Sequence, residues 1–472
     1  MRVEDVWPVS PLQEGLLFHA LFDEQGTDVY VEQMVLGLEG PLDAVALRAS
    51  WQALLARHAS LRAGFRQLPG VDQPVQVIAR EVTLPWREED LSALAEAEAL
   101  AGVDRLGVEE RARRFDLAVP PLLRILLVKV ADDRYRMVVT LHHIVLDGWS
   151  LPVLMRELWT AYEAGGHTGG LPAVTPYRDY LEWLGRQDKE AARDAWREAL
   201  AGADEPTLIA SVDRDAAPVH GELVTVQASA ELNDALTELA REHGVTMNTV
   251  VQAAWALLVG TLTGRRDVVF GASVAGRPAE LPGMESMLGL FINTVPVRVR
   301  LDPGQTVAGL LSGLQAEQSA LLDHQFLSLS EVQRLAGAGA SFDTIMAFEN
   351  FPSGLSGQDS SEDVAELPGP PGLRVVGAGF QESINYPLGL VAGSIGGLGM
   401  RLNYRPDVFG ADEAQGVLDR LLLLLGRMAA DPGGRLSGLE VLGEAERSLV
   451  VERWNDTDGV VPGSSLVELV GA

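Results

Sequence analysis

Apolar residues recur at helical spacing from Pro11 to Leu21. Ser10 stands before them as an N-cap, and Pro11 suits the first helical position. The apolar run Met34 to Leu38 predicts a strand. Leu42 to Arg57 predicts an amphipathic helix with Trp51 on its apolar face. Two further apolar runs, Leu122 to Val130 and Arg136 to Leu141, flank Ala131-Asp132-Asp133-Arg134 and predict a hairpin. Ser150 to Tyr162 returns to helical spacing. The cluster Gly165-Gly166-His167-Thr168-Gly169-Gly170-Leu171-Pro172 then breaks the pattern and marks a boundary between a first unit, 1–170, and a second, 171–450. A long surface loop inside one domain is the other reading of that cluster.

Past the boundary, helices are predicted at Tyr177 to Gln187, Lys189 to Ala201, Ala230 to Glu242, Met247 to Leu262 and Ala411 to Met428. Strands are predicted at Val268 to Ser273, Phe291 to Val299, Ser341 to Glu349 and Leu398 to Tyr404. Pro352 to Gly372 is rich in Gly, Ser, Pro and acidic residues, with too little apolar content to fold, and predicts a mobile loop. The mixed order of strands and helices predicts an α/β fold, an α+β sandwich in each unit.

At 472 residues the chain exceeds one ordinary core. Its apolar share of 47% and charged share of 22% are those of a soluble globular protein and leave the fold class open. The net charge of −29 changes more: such a polyanion is repelled by phosphate backbones and anionic lipid, which sets aside nucleic acid and membrane partners. The absence of cysteine excludes disulfides, thiolate nucleophiles and Cys-based metal sites, and fits a cytoplasmic protein. Met1-Arg2-Val3-Glu4-Asp5 does not begin a signal peptide. The greasiest run, Leu421 to Leu425, falls far short of the ~20 apolar residues of a membrane span and predicts a core helix.

Candidate chemistry centres on histidine. Of eight histidines only two are adjacent, in Thr140-Leu141-His142-His143-Ile144-Val145-Leu146-Asp147-Gly148-Trp149-Ser150. Strand alternation sends successive side chains to opposite faces, so His142 and His143 cannot share one task or one metal ion. Gly148 permits a tight turn, and Asp147 is placed to brace it. A lone histidine here would read as a satisfied core residue. The pair together with Asp147 and Gly148-Trp149-Ser150 reads as an imidazole held rigidly at a strand end.

His142-His143-Ile144-Val145-Leu146-Asp147-Gly148 resembles the HHxxxDG motif of nonribosomal peptide synthetase condensation domains, within the chloramphenicol-acetyltransferase-like superfamily. Trp7 to His19 resembles the family's first motif and Arg57-His58-Ala59-Ser60-Leu61-Arg62-Ala63-Gly64-Phe65 its second. Tyr177-Arg178-Asp179-Tyr180 resembles the fourth, and Gly271 to Pro278 with Met287 to Pro296 resembles the fifth. Asn385-Tyr386-Pro387-Leu388 and Tyr404 to Phe409 are similar to later motifs, so the resemblance runs in order from Val3 to Val450.

The resemblance implies two acetyltransferase-like lobes in a V-shaped pseudodimer with a central tunnel. An upstream donor and a downstream acceptor peptidyl carrier protein would each deliver a thioester on a 4'-phosphopantetheine arm, with no cofactor bound by the chain itself. It implies that His143 is the active-site histidine and that His142 faces away and supports it. Asp147 would be structural, paired with Arg62, and Gly148 would let the backbone approach the substrate. Trp149, Asn350 and Ser383 are substrate-contact candidates. The tail, 451–472, resembles a linker toward a following adenylation domain, which makes the chain a piece of a larger synthetase.

The expected reaction is peptide-bond formation, with His143 either accepting a proton or positioning the amine. An epimerization-type domain and an inactive, protein-recruiting module of the same fold are the alternatives. A heterocyclization domain would carry aspartates in place of the histidines, and an acyltransferase using coenzyme A would carry DFGWG near its end. Among condensation subtypes the motifs look most like the one joining a D-configured donor to an L-configured acceptor, ahead of the L-to-L subtype.

Overall fold

The hairpin predicted around Ala131-Asp132-Asp133-Arg134 forms the centre of the first sheet. Its strands, Leu123–Ala131 and Arg134–His142, pair antiparallel. Val31–Glu39 adds to one side antiparallel and Trp86–Asp90 to the other in parallel. The computed structural model describes residues 2–22, 28–71, 73–210, 219, 221–349, 366–367, 369–381, 385–394 and 396–457.

The six-stranded first sheet is completed at its edge by Arg374–Gln381 and Glu366–Leu367, which lie far down the sequence. The helix after the Gly/Pro cluster, Tyr177–Gly185, also buries Tyr177, Tyr180 and Leu181 in the first core, as do Met284, Met287, Leu288, Leu290 and Phe291. Packing therefore does not divide at residue 170 as the sequence pattern divides. The Gly165–Gly166 turn, with φ of 64° and 92°, reverses the chain at the surface, and the apolar face that follows returns to the core it has just left. Most of the expected loop 352–372 lies outside the described residues.

The second sheet also has six strands, in the order Asn293–Arg300, Asp267–Val274, Thr344–Glu349, Leu388–Gly393, Gly399–Tyr404 and Glu222–Gln227. Thr344–Glu349 runs parallel to both of its neighbours, and the other pairs are antiparallel. Helices Ala230–His243, Met247–Thr263 and Ala411–Ala430 pack with this sheet into a second core that holds Trp255 and Phe270 fully buried. All six residues of Leu388–Gly393 and of Gly399–Tyr404 are buried; the first is a continuous apolar run, whereas the second buries Arg401 and Asn403 as well, with Arg401 paired to Glu349 at 3.0 Å. A small third sheet joins Val3–Pro8, Val75–Ala79 and Ala63–Arg66.

Local signals set the element ends. Ser10 caps helix Pro11–Phe22: its hydroxyl accepts from the Gln13 N–H at 3.4 Å while the Gln13 side chain accepts from the Ser10 N–H at 2.9 Å, a reciprocal capping box. Asp43 accepts from the Ala46 N–H, so that helix begins at Ala44 rather than Leu42. Thr246 caps Met247–Thr263, and Gly264 in the left-handed region ends it.

Candidate active site

Strand Arg134–His142 runs one residue past the predicted Leu141 and stops before His143, so the alternation invoked for the two histidines does not extend through both. The His142 N–H still donates to Leu122 O at 3.0 Å, but His143 opens a single 3-10 turn, His143–Val145. The two rings therefore part because the chain turns between them, not because of the pleat.

His142 is fully buried. Its Nδ1 accepts the Ile144 N–H at 3.1 Å, which leaves the proton of a neutral ring on Nε2, 3.3 Å from Asp28 Oδ2. That separation is an ion-pair contact rather than an aligned hydrogen bond. The Tyr30 and Phe115 rings flank the imidazole at 6.4 and 6.5 Å. Burial pushes the Asp28 carboxyl up, but His142, the Tyr30 N–H and Arg114 outweigh it and hold the group below its ordinary range.

His143 has a different environment. Its N–H donates to Tyr30 O at 2.9 Å, and Nδ1 lies 2.9 Å from Leu146 O and 3.2 Å from Glu32 Oε1. A ring donating from Nδ1 to a carbonyl carries its lone pair on Nε2. With 14% of its side chain exposed, His143 stands on the wall of a cavity of about 620 Å³. His19 and Tyr30 line the same side, and Ser273, Asn293 and Thr294 come from the second sheet, so the cavity lies between the two sheets. Burial pushes the Tyr30 phenol up and pushes Tyr386, also on the wall, up to about 12. Both stay neutral hydrogen-bonding groups. Burial pushes His19 down, toward the uncharged imidazole. A second cavity of about 680 Å³, lined by Phe65, Arg66, Arg114 and Phe115, shares Glu14 and Phe18 with the first.

Asp147 clamps the turn that carries His143. Oδ1 accepts from the Ser150 N–H at 2.9 Å and the Ser150 hydroxyl at 2.8 Å, and it meets Arg277 Nη2 at 3.1 Å. Oδ2 accepts the Phe291 N–H at 2.9 Å, and the Asp147 N–H donates to Gly289 O at 3.1 Å. Arg277 also donates to Met284 O at 2.8 Å, and its guanidinium lies 4.0 Å from the centre of the Phe291 ring. The close approach depends on Gly289, where a Cβ would meet the Tyr177 ring at 2.2 Å.

The expected partner of Asp147 is therefore corrected. Arg62 is buried, but it donates to Leu55 O at 3.0 Å, Ala79 O and Arg80 O at 3.3 Å, and pairs with Glu4 Oε2 at 2.6 Å. The reason is local. Arg62 ends the 3-10 turn Ala59–Arg62 after helix Ala44–Arg57, where main-chain carbonyls need donors and its planar fork supplies several. The cation on Asp147 is Arg277, from Gly271 to Pro278, a segment whose resemblance was legible although the arginine's role was not.

Gly148 and Trp149 form the partly buried turn between Asp147 and helix Ser150–Glu163, and neither lines the 620 Å³ cavity. Asn350 and Ser383 lie outside the described residues. Sequence reasoning passed over Asp28, Tyr30 and Glu32. The available signal was two acidic residues bracketing the start of a largely buried strand: Glu32 is 4% exposed within Val31–Glu39.

The condensation-domain family model matches residues 3–451. The chain is 37% identical over 469 residues to a linear gramicidin synthase of Brevibacillus parabrevis, covering 98% of this chain and 6% of that protein. It is 32% identical over 481 residues to bacitracin synthase 3 of Bacillus licheniformis, covering 99% of this chain and 7% of that protein. The chain thus spans less than a tenth of the length of either relative. Its fold is similar to that of the first condensation domain of the calcium-dependent antibiotic synthetase in complex with a substrate analogue. The TM-score is 0.75 at 20% identity, covering 94% of this chain and 100% of that one. A four-domain nonribosomal peptide synthetase bound to AMP and glycine matches with a TM-score of 0.77 at 19% identity, over 95% of this chain and 35% of that one.

Proposed function

The chain belongs to the condensation-domain family, and from that premise we propose that it forms a peptide bond between a donor acyl or peptidyl thioester and the amine of an acceptor aminoacyl thioester. Both substrates are held on the 4'-phosphopantetheine arms of partner carrier proteins, donor upstream and acceptor downstream, in a synthetase that continues into an adenylation domain. The observation that carries this reading is the His143 imidazole, held at Nδ1 by Leu146 O on the wall of the cavity between the sheets.

Acyl transfer from a thioester needs a neutral amine aligned on the carbonyl carbon. The C–N bond forms, the C–S bond breaks, and the donor arm leaves as a thiol. The amine nitrogen sheds one proton, and the departing sulfur takes one up. An imidazole with its lone pair on Nε2 serves this chemistry by accepting that proton and passing it on, or by hydrogen-bonding the amine into line. Positioned proton transfer is worth ~10²–10⁴ in rate. His142 and Asp28 support the turn from behind, and the Asp147–Arg277 pair ties it to the second sheet's approach segment. Gly148 and Trp149 follow as the turn's outer residues. The two large sheets with their helices are the two acetyltransferase-like lobes of this reading, with the lobes drawn by packing rather than at residue 170.

The test loads donor and acceptor carrier proteins with defined substrates and follows intact-protein mass. The wild-type chain yields condensed product. His143→Ala yields little or none while its circular dichroism is unchanged. Full turnover by a folded His143→Ala protein removes His143 from the reaction. Binding of loaded carriers without product from the wild type assigns the chain to the inactive, recruiting alternative.

A further inference from the structure

The carboxylate of Glu32 stands beside the histidine without a part in the chemistry above. It projects from Val31–Glu39, where Glu32 pairs with Leu141, so it sits one strand over from the point at which the chain turns to present His143. Its Oε1 is 3.2 Å from His143 Nδ1, and Glu32 is 4% exposed. Burying a carboxylate is costly unless a hydrogen bond or a cation compensates it. The imidazole ring, once protonated, is a cation at ion-pair distance from it.

We propose that Glu32 is a positioning residue for His143: its carboxylate, in ion-pair contact with Nδ1 beside the bond to Leu146 O, stabilises the imidazolium that forms when Nε2 takes the amine proton. The catalytic part of this proposal rests on the condensation reading, whereas the pairing does not. The geometry separates two functions on one nitrogen. Leu146 O, a neutral acceptor at 2.9 Å, fixes the tautomer and ring plane. Glu32 adds negative charge at nearly the same distance, and only the charge favours the protonated ring over the neutral one. No proton passes to Glu32; the Nδ1–H bond stays intact while Nε2 gains and then returns its proton.

Other titratable groups on the cavity wall are Glu14 and His19 on Pro11–Phe22, Tyr30, Arg334 on Leu329–Ala336, and Tyr386. Of these, Tyr30 and Tyr386 stay neutral because burial pushes both phenols up. Asp147 is engaged with Arg277, and Asp28 with His142. Glu32 is a carboxylate in direct contact with the His143 ring.

Glu32→Gln is the informative change because it keeps the size and polarity of the side chain while the charge is gone. Glu32→Asp keeps the charge on a side chain one methylene shorter. The isolated chain, labelled with ¹⁵N at histidine, is titrated by NMR, and the His143 signal is identified by its loss in His143→Ala. The His143 curve is expected to move to lower pH in Glu32→Gln and to stay nearer the wild-type curve in Glu32→Asp. Superimposable curves for wild type and Glu32→Gln overturn the proposal.

In carrier-loaded assays Glu32→Gln is expected to lower kcat by about tenfold or more with KM for the loaded acceptor unchanged. The acid limb of its kcat profile should move to lower pH. A KM effect alone, or a kcat loss without movement of the titration curve, also overturns it. If Glu32→Gln fails to fold by circular dichroism, Glu32→Ala, which also removes the charge, carries the test: a His143 titration curve identical to wild type overturns the proposal. Movement of the curve in a chain that condenses nothing leaves the Glu32–His143 pairing standing and removes the condensation reading instead.

Discussion

Removing the Asp147 carboxylate tests how the active-site turn is held. Asp147→Ala withdraws an acceptor used by four donors between 2.8 and 3.1 Å: the Ser150 N–H and hydroxyl, the Phe291 N–H and Arg277 Nη2. It strands a guanidinium whose side chain is 11% exposed. Breaking such a buried pair from one side costs about 3–5 kcal/mol. Arg277→Ala is milder, because Asp147 keeps three uncharged donors; the loss is that of a hydrogen bond to a charged group, about 1.5–3 kcal/mol. Much of the Asp147→Ala loss is the stranded Arg277 cation, so the double variant should be less destabilised than the sum, by about 0.5–3 kcal/mol. Urea unfolding followed by circular dichroism on wild type, both singles and the double measures this coupling. Asp147→Ala combined with Arg62→Ala is the internal control. Arg62 shares no partner with Asp147, so those losses should add to within about 0.5 kcal/mol. Additive losses for Asp147 with Arg277, or strong coupling of Asp147 with Arg62, refute the reasoning.

Two further outcomes can be checked. Asp28 has its folded-state value below the ordinary carboxylate value, so its contribution to stability is fully present above the unfolded value of ~3.9 and is lost as pH falls toward the folded value. Asp28→Asn should therefore be less stable than wild type near neutrality, with the gap closing as the pH falls through that range in urea-unfolding series. A gap independent of pH would remove the Asp28–His142 pair as its source. The subtype suggested by the motifs predicts that, of two donors differing only at the terminal α-carbon, the D-configured one condenses faster with a common acceptor. Equal rates or an L preference in a competition assay would sink that subtype.

What the sequence disclosed depended on how far a residue's meaning lay from its neighbours. The hairpin of Leu123–Ala131 and Arg134–His142 was legible because both strands and the turn are contiguous. Helix Ala411–Ala430 was legible because its apolar stripe repeats over twenty residues. Val3–Pro8 and Ala63–Arg66 were not, since they are short and partly exposed and become strands only through pairing with Val75–Ala79. Arg374–Gln381 was not, because its partner Val31–Glu39 lies more than three hundred residues earlier.

The site follows the same division. His143, Asp147 and the turn between them were visible as one segment. The cation on Asp147 and the carboxylate on His143 were not, because a pairing across 130 or 111 residues leaves no spacing to read. Arg62 was assigned to Asp147 by resemblance, and its own helix end, which determines its bonds, argued otherwise.

The position of His143 is then a property of both halves of the chain. Leu146 O fixes the ring, but Leu146 is itself fixed by the residue after it: the Asp147 N–H on Gly289 O and its carboxylate on Phe291 N–H draw the turn against 289–291. That segment is held in turn by the Tyr177 hydroxyl on Leu290 O at 2.6 Å and by Arg277 over the Phe291 ring. On the other side, Tyr30 O takes the His143 N–H, and Asp28, two residues earlier, meets His142. The turn that carries the imidazole is thus clamped between the start of Val31–Glu39 and a loop from the second half of the sequence, and the cavity it faces opens along the seam where those two parts meet. A displacement of either part would move the ring with the His143 side chain itself unchanged, and for a reaction governed by alignment such a shift acts on rate as directly as loss of the side chain.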